Sequence, residues 1–89
     1  MQHTQGVTIR ATTLRVDGAT STHVFETDDP PLHWLQGEVG GLIDFVDGLP
    51  YTVVVNLDRD KLQLPVNHQA VRRLGPQLHG TVVVIEYLR

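Results

Sequence analysis

Two unbroken apolar runs constrain the fold of this chain more than any other feature of its sequence. The first is VVV at residues 53–55, and the second is VVVI at residues 82–85. Apolar runs without alternation are typical of strands that are buried on both faces. Two short helices can cover one face of such a sheet. We therefore expect the other face to be covered by an N-terminal β-hairpin or by a second subunit.

The N-terminal part of the chain predicts that hairpin. Apolar and polar residues alternate over residues 7–16, and a second β-like run spans residues 20–26. The intervening Asp-Gly at positions 17–18 is a strong signal for a hairpin turn. The apolar residues change phase within the first strand, which predicts a β-bulge or a sharp coil of the strand near residues 12–13.

Capping signals and apolar spacing predict two short helices. Residues 28–31 (DDPP) can begin the first helix, because aspartate caps free N–H groups and proline is tolerated in the first turn. Gly40 and Gly41 end it. Asn67 is a good N-cap for a second helix over residues 68–74. The apolar stripes are Leu32, Leu35 and Val39 in the first helix and Ala70, Val71 and Leu74 in the second.

The remaining elements are strands. Residues 42–47, 51–56 and 80–88 have strand patterns, and Pro65 limits a short strand at residues 62–64 to an edge or an end. Together the elements predict an α+β fold. We expect a mainly antiparallel five- or six-stranded sheet with an N-terminal β-hairpin and two short helices.

The composition indicates one small domain and excludes several function classes. With 89 residues, 40% of them hydrophobic, we expect a single domain at residues 7–89 behind a flexible N-terminus at residues 1–6. The net charge of −3 argues against nucleic-acid binding, and the absence of cysteine excludes thiolate metal sites. No segment is long enough to cross a membrane, and residues 1–9 lack signal-peptide features. We therefore expect a cytoplasmic protein that binds neither membranes nor nucleic acid.

No arrangement of reactive side chains in the sequence predicts catalysis. The five histidines lack the spacing of zinc ligands. Asn56, Asp58 and Asp60 alternate as the first ligands of a calcium loop do. Lys61 and Asn67 then stand where that loop requires glycine and glutamate, which favours a plain turn. We expect a non-enzymatic protein with no metal site and no cofactor.

The two helices carry the candidates for binding a protein partner. Trp34 lies about 200° from Leu32 on a helical wheel, opposite the apolar stripe. Tryptophan is enriched in interface hot spots, and the alternative is that Trp34 packs under the hairpin. Adjacent arginines near the end of the second helix can contact an anion or complement the helix dipole. The candidate partner-binding residues are Trp34, His33, Glu38, Arg72 and Arg73.

A series of short motifs resembles the sequence pattern of a known family. The motifs are Leu35-Gln36, Val39-Gly40-Gly41 with Ile43, Val53-Val54-Val55-Asn56, Leu64-Pro65-x-Asn67-x-x-Ala70 and Gly80-Thr81-Val82-Val83-Val84. Over about residues 32–85 they resemble the domain of unknown function DUF3846, which occurs in bacteria, plasmids and phages. The turn after residue 56 departs from the family's usual Asn-Glu-Glu-Gly-Lys, and residues 1–31 have no recognised counterpart. The resemblance implies a compact α+β domain of mobile-element origin and implies no activity.

Two functional hypotheses follow. The first is a non-enzymatic phage or mobile-element accessory protein that binds a host protein, as an oligomer, in the host cytoplasm. Because the valine-rich strands need apolar cover on both faces, we expect a homodimer with Trp34 or the C-terminal strand near the contact. The alternative is a module that binds or sequesters a small ligand in a pocket between helix and sheet or between subunits.

Overall fold

The protein is built on a five-stranded antiparallel sheet with one helix on each face, as seen in a computed structural model that describes residues 8–27 and 31–88. In chain order the elements are β1 (Thr8–Leu14), β2 (Thr20–Glu26), α1 (Leu32–Val39), β3 (Ile43–Phe45), β4 (Thr52–Asn56), α2 (His68–Leu74) and β5 (Val82–Leu88). The strands lie in the order β2-β1-β5-β4-β3, and each adjacent pair is antiparallel. This architecture confirms the predicted α+β class and the N-terminal hairpin.

Alternate residues of the valine-rich strands face different helices. Val54 of β4 packs in one buried cluster with Leu35 of α1. Its neighbours Val53 and Val55 pack in a second buried cluster with Ala70 of α2. The helices therefore cover opposite faces, and the hairpin lies within the sheet. The expectation that both helices share one face is wrong, and the valine runs find their cover within a single chain.

Strand β1 shows why the apolar residues change phase. It pairs residue for residue with β2 on one side and β5 on the other, without an extra residue, so the predicted β-bulge is wrong. Thr13 continues the row of Ile9 and Ala11 and is fully buried beneath α1, whereas Leu14 packs in the α2 cluster. The apolar residues therefore change phase because both faces of this regular strand are covered, one by α1 and the other by α2.

The segment after β4 curls instead of forming a sixth strand. The Leu62 N–H donates to the Asp58 carbonyl at 2.8 Å, and Gln63 has a φ of 54°. These features belong to a turn, so the strand predicted at residues 62–64 is wrong. An isolated bridge between Val66 and His79 joins the end of this segment to the approach to β5.

The third and fifth strands are shorter than predicted. Strand β3 covers only three residues of the predicted span 42–47, and β5 begins at Val82 instead of residue 80. Gly80 has a φ of 77°, a left-handed conformation that an extended strand does not contain.

Helix α1 begins later than predicted. Its N-cap position is Pro31, which makes no side-chain capping bond, while residues 28–30 and the predicted flexible segment 1–6 lie outside the described residues. Leu32 is 54% exposed because it precedes the part of the helix that contacts the sheet, so only Leu35 and Val39 remain as the buried stripe. Gly40, with a φ of 82°, ends the helix as predicted.

Helix α2 matches its predicted bounds. Gln69, on its outer side, still reaches the hairpin, where its side-chain oxygen accepts a hydrogen bond from the Thr20 hydroxyl at 2.8 Å. Among the described residues, no helix is both long and apolar enough to cross a lipid bilayer.

Candidate functional site

A buried asparagine joins α2 to the sheet. Asn67 is fully buried, and its side-chain oxygen accepts the Ala70 N–H at 3.0 Å, which confirms the predicted N-cap. Its side-chain nitrogen donates to the carbonyls of Leu14 and Gly80, both at 2.8 Å. One amide therefore links the end of β1, the start of α2 and the approach to β5.

A second buried asparagine joins α1 to the sheet in the same manner. The Asn56 side-chain nitrogen donates to the Val39 carbonyl at 2.9 Å, and its oxygen accepts the Asp58 N–H at 2.7 Å. A Cβ on Gly41 would lie 3.1 Å from this nitrogen, so the close approach favours glycine there. Both asparagines lie in the motifs that carry the family resemblance, and both serve the fold.

The alternating acidic turn is organised by an arginine. Arg59 donates from Nη1 to the Asp44 carboxylate and to the Asn56 carbonyl, both at 3.1 Å. Within residues 8–27 and 31–88, no three His, Asp or Glu side chains form a group that could hold a metal ion.

Glu38, a predicted binding residue, is tied to the hairpin. Its Oε1 accepts the Thr13 hydroxyl at 2.8 Å and Arg15 Nη2 at 3.2 Å. Arg15 also donates from Nη1 to the Ser21 hydroxyl at 2.9 Å. The carboxylate thus links α1 to both strands of the hairpin, which is a structural role.

Replacing Glu38 by alanine is expected to destabilise the protein by about 1–2 kcal/mol, because the fully buried Thr13 hydroxyl loses its acceptor. His33→Ala on the same helix is the matched control, since His33 is exposed, and it should change stability by less than about 0.5 kcal/mol. Urea denaturation of both variants measures the difference. Equal midpoints for the two variants would show that the Glu38 contact is not stabilising.

Trp34 packs against the hairpin at the border of the sheet. Its ring centroid lies 5.1 Å from that of Phe25, in an edge-on arrangement, and 5.1 Å from that of His23. Both partners belong to β2, the outermost strand. Trp34 is partly buried and joins the α1-side core, which favours the packing alternative over a freely exposed hot spot.

Strand β2 offers a long open edge beside this aromatic group. Within the described residues it pairs only with β1, and all seven of its residues are in register. The Arg15 N–H donates to the Ala19 carbonyl at 2.9 Å, so the odd-numbered residues of β2 are the ones that form hydrogen-bonded pairs with β1. In an antiparallel ladder the inward and outward backbone groups alternate. The residues whose N–H and C=O groups point away from β1 are therefore Thr20, Thr22, Val24 and Glu26.

The β2 edge lacks most of the features that usually prevent strand addition, although its last residue, Glu26, is charged. It contains no proline, no lysine and no bulge. The four residues whose backbone groups point away from β1 also have exposed side chains, and Val24 is 58% exposed. The opposite edge, β3, has only three residues, which is itself a protection. We therefore take the β2 edge as the candidate functional site.

A small cleft beside α2 is a second candidate. It measures about 210 Å³. Arg10 donates from Nε to the Glu86 carboxylate at 2.9 Å, and this hydrogen bond, with the charge of Glu86, raises the pKa of Arg10. Within residues 8–27 and 31–88, Arg73 stands at the cleft without a hydrogen-bond partner of its own. The lining residues are Thr12, Leu14, Tyr51, Arg73, Leu74, Val84 and Glu86.

The five predicted binding residues do not form one site. Trp34, His33 and Glu38 belong to α1, whereas Arg72 and Arg73 belong to α2 on the opposite face of the sheet. Sequence reasoning found Trp34 and Arg73, which lie at the two candidate surfaces. It missed Thr22 and Val24 of the β2 edge, although the sparse apolar content of TSTHVFE is a signal for an outer strand.

The comparisons with known proteins match the chain to a family. Residues 9–88 match the family described as Domain of unknown function (DUF3846). The match includes the N-terminal hairpin, whereas the motifs that resemble the family lie only within residues 32–85. No curated protein and no solved structure matches the chain significantly.

Proposed function

The chain belongs to the DUF3846 family, and we propose that it is a non-enzymatic accessory protein of a phage or other mobile element that binds a host protein in the cytoplasm. The single observation that supports the binding of a protein partner is the open edge of β2. A partner's extended segment can add a further strand there, with main-chain hydrogen bonds as the source of affinity.

The edge offers a complete set of backbone groups to such a segment. The four residues whose backbone groups point away from β1 present four N–H groups and four carbonyls. Each hydrogen bond contributes about 0.5–1.5 kcal/mol net. Selectivity comes from the side chains on either face: Thr22 and Val24 on the α2 side, and His23 beside Trp34 on the α1 side.

A differential capture experiment tests this function. We expect the wild-type chain to retain a host protein from bacterial lysate, and Thr22→Pro to reduce the retained amount at least tenfold. Proline at position 22 removes an outward N–H and blocks an incoming strand, while the bonds to β1 remain. The double variant Arg72→Ala, Arg73→Ala is the control, because both residues are exposed on α2 and neither belongs to β2.

Two outcomes contradict the proposal. Undiminished capture by a folded Thr22→Pro variant shows that the partner does not use β2. Loss of capture in the arginine variant alone transfers the interaction to α2. Thermal unfolding followed by circular dichroism establishes that each variant is folded.

The cleft at Arg73 supports the alternative function, a module that binds a small ligand. Its apolar side chains and the guanidinium of Arg73, which has no hydrogen-bond partner among the described residues, suit a compact molecule with one anionic group. Ligand pockets usually measure about 300–1,000 Å³, so a cleft of about 210 Å³ favours the protein-binding proposal. A mass excess in native mass spectrometry that disappears in Arg73→Ala would support the alternative.

A further inference from the structure

The β2 edge is complementary to itself, and we infer that two copies of the free protein pair through β2 in antiparallel orientation. This inference rests on the proposed use of β2 as a docking edge. The product is a continuous ten-stranded sheet with a two-fold axis through its centre. A host segment and the second copy then compete for one edge.

The hydrogen-bonding phase fixes the register of this pairing. In this pairing, residues whose backbone N–H and C=O groups point away from β1 must lie opposite each other in the two copies. These are the even-numbered residues of the range 20–26. Only the register centred on His23 uses all four of them in both copies. It places Thr22 opposite Val24 of the second copy, and Thr20 opposite its Glu26.

The side chains suit that register. Thr22 and Val24 are both β-branched, and such cross-strand pairs are favourable. Glu26 is the one charged residue of β2, and in this register the two copies of Glu26 lie six residues apart along the strand direction. That is about 20 Å at the strand rise, well beyond the screening length of ~8 Å at physiological salt. The pairing therefore brings no like charges of β2 together.

The aromatic group on the other face becomes continuous across the axis. His23 lies opposite its own copy in a non-hydrogen-bonded pair, the closer of the two pair types. Each His23 already contacts Trp34 of its own chain. The inference thus places Trp34 beside the contact. Strand β5 is flanked by β1 and β4, so it is not available as the main pairing strand.

The pairing should be reversible. The valine-rich core is complete within one chain, so dimerisation is not required for folding. One strand pair buries less than the ~1,600 Å² of a standard interface. We expect a dissociation constant on the order of 10 µM, which allows a host segment to displace the second copy.

Sedimentation equilibrium between 1 and ~500 µM tests the inference. Wild type and the Arg72→Ala, Arg73→Ala control should change from one-chain to two-chain mass across this range. Thr22→Pro should keep the mass of one chain. Val24→Lys, which leaves the bonds to β1 intact and adds an edge lysine, should weaken the dimer at least tenfold even if the proline variant fails to fold.

A wild-type mass of one chain at every concentration overturns the inference, and so does full dimerisation of folded Thr22→Pro or of Val24→Lys. The proposed function has a separate outcome. If wild type is monomeric but Thr22→Pro still abolishes capture from lysate, self-pairing is wrong and the docking edge stands. If wild type dimerises through β2 but no capture depends on Thr22, the reverse holds.

Discussion

Replacing Asn67 by aspartate is expected to destabilise the protein by about 3–4 kcal/mol, at least as much as replacing it by alanine. Aspartate is as good a helix cap as asparagine, so a purely capping role predicts little change. The side-chain nitrogen of Asn67, however, donates to two buried carbonyls. Aspartate has no donor to offer them and places an oxygen against both.

Urea denaturation measures this effect, with His68→Ala as the matched control. His68 is the first residue of α2 and is exposed, so its replacement should shift stability by less than about 0.5 kcal/mol. For Asn67→Ala, loss of the cap alone costs only about 1 kcal/mol. If Asn67→Asp is as stable as the wild type, Asn67 acts only as a helix cap. Its hydrogen bonds to the Leu14 and Gly80 carbonyls would then not stabilise the fold.

Replacing Asn56 by alanine is expected to cost about 2–3 kcal/mol. The substitution leaves the Val39 carbonyl at the end of α1 and the Asp58 N–H without their partners. Asn56 is itself buried, so loss of its packing adds to the lost hydrogen bonds. Thermal unfolding followed at Trp34 reports on α1, because that tryptophan is the only one in the chain.

The control for Asn56 is Leu57→Ala, the next residue along the chain. Leu57 is 48% exposed, and its replacement should have a much smaller effect. Gly41→Ala provides a second view of the same joint, because its new Cβ would press on the Asn56 side chain at 3.1 Å. If Asn56→Ala is no more destabilising than Leu57→Ala, the Asn56 side chain does not contribute to holding α1 on the sheet.

The sequence predicts local elements of this fold well because their causes are local. Helix α2 has a strong N-cap and a glycine after its last residue, and its predicted and observed bounds coincide. The apolar run at residues 53–55 requires cover on two faces, and the structure provides it. Periodicity does not state which helix covers which face, since that depends on the paths of the connections. The same limitation produced the wrong β-bulge, because Leu14 faces a helix that is distant in sequence.

The candidate site depends on strand order, which no local pattern contains. β2 is a candidate docking edge only because it lies at the end of the order β2-β1-β5-β4-β3. The helical wheel placed Trp34 away from the apolar stripe, but the sheet extends past α1 far enough for Trp34 to contact Phe25. Glu38 was predicted to contact a partner, whereas it bonds to Thr13 of β1. The sequence does not reveal this bond because the two residues are 25 positions apart.

Amide hydrogen exchange along β2, measured as a function of protein concentration, tests the docking edge most directly. The Ser21 and His23 amides face β1 and should be protected at every concentration. The Thr22 and Val24 amides face outward, so they should exchange rapidly in dilute protein and at least tenfold more slowly at ~500 µM. Rapid exchange of Thr22 and Val24 that does not change with concentration would contradict pairing through β2. Protection of these amides in dilute protein would show that the edge is already covered and would contradict the account of β2 as an open docking strand.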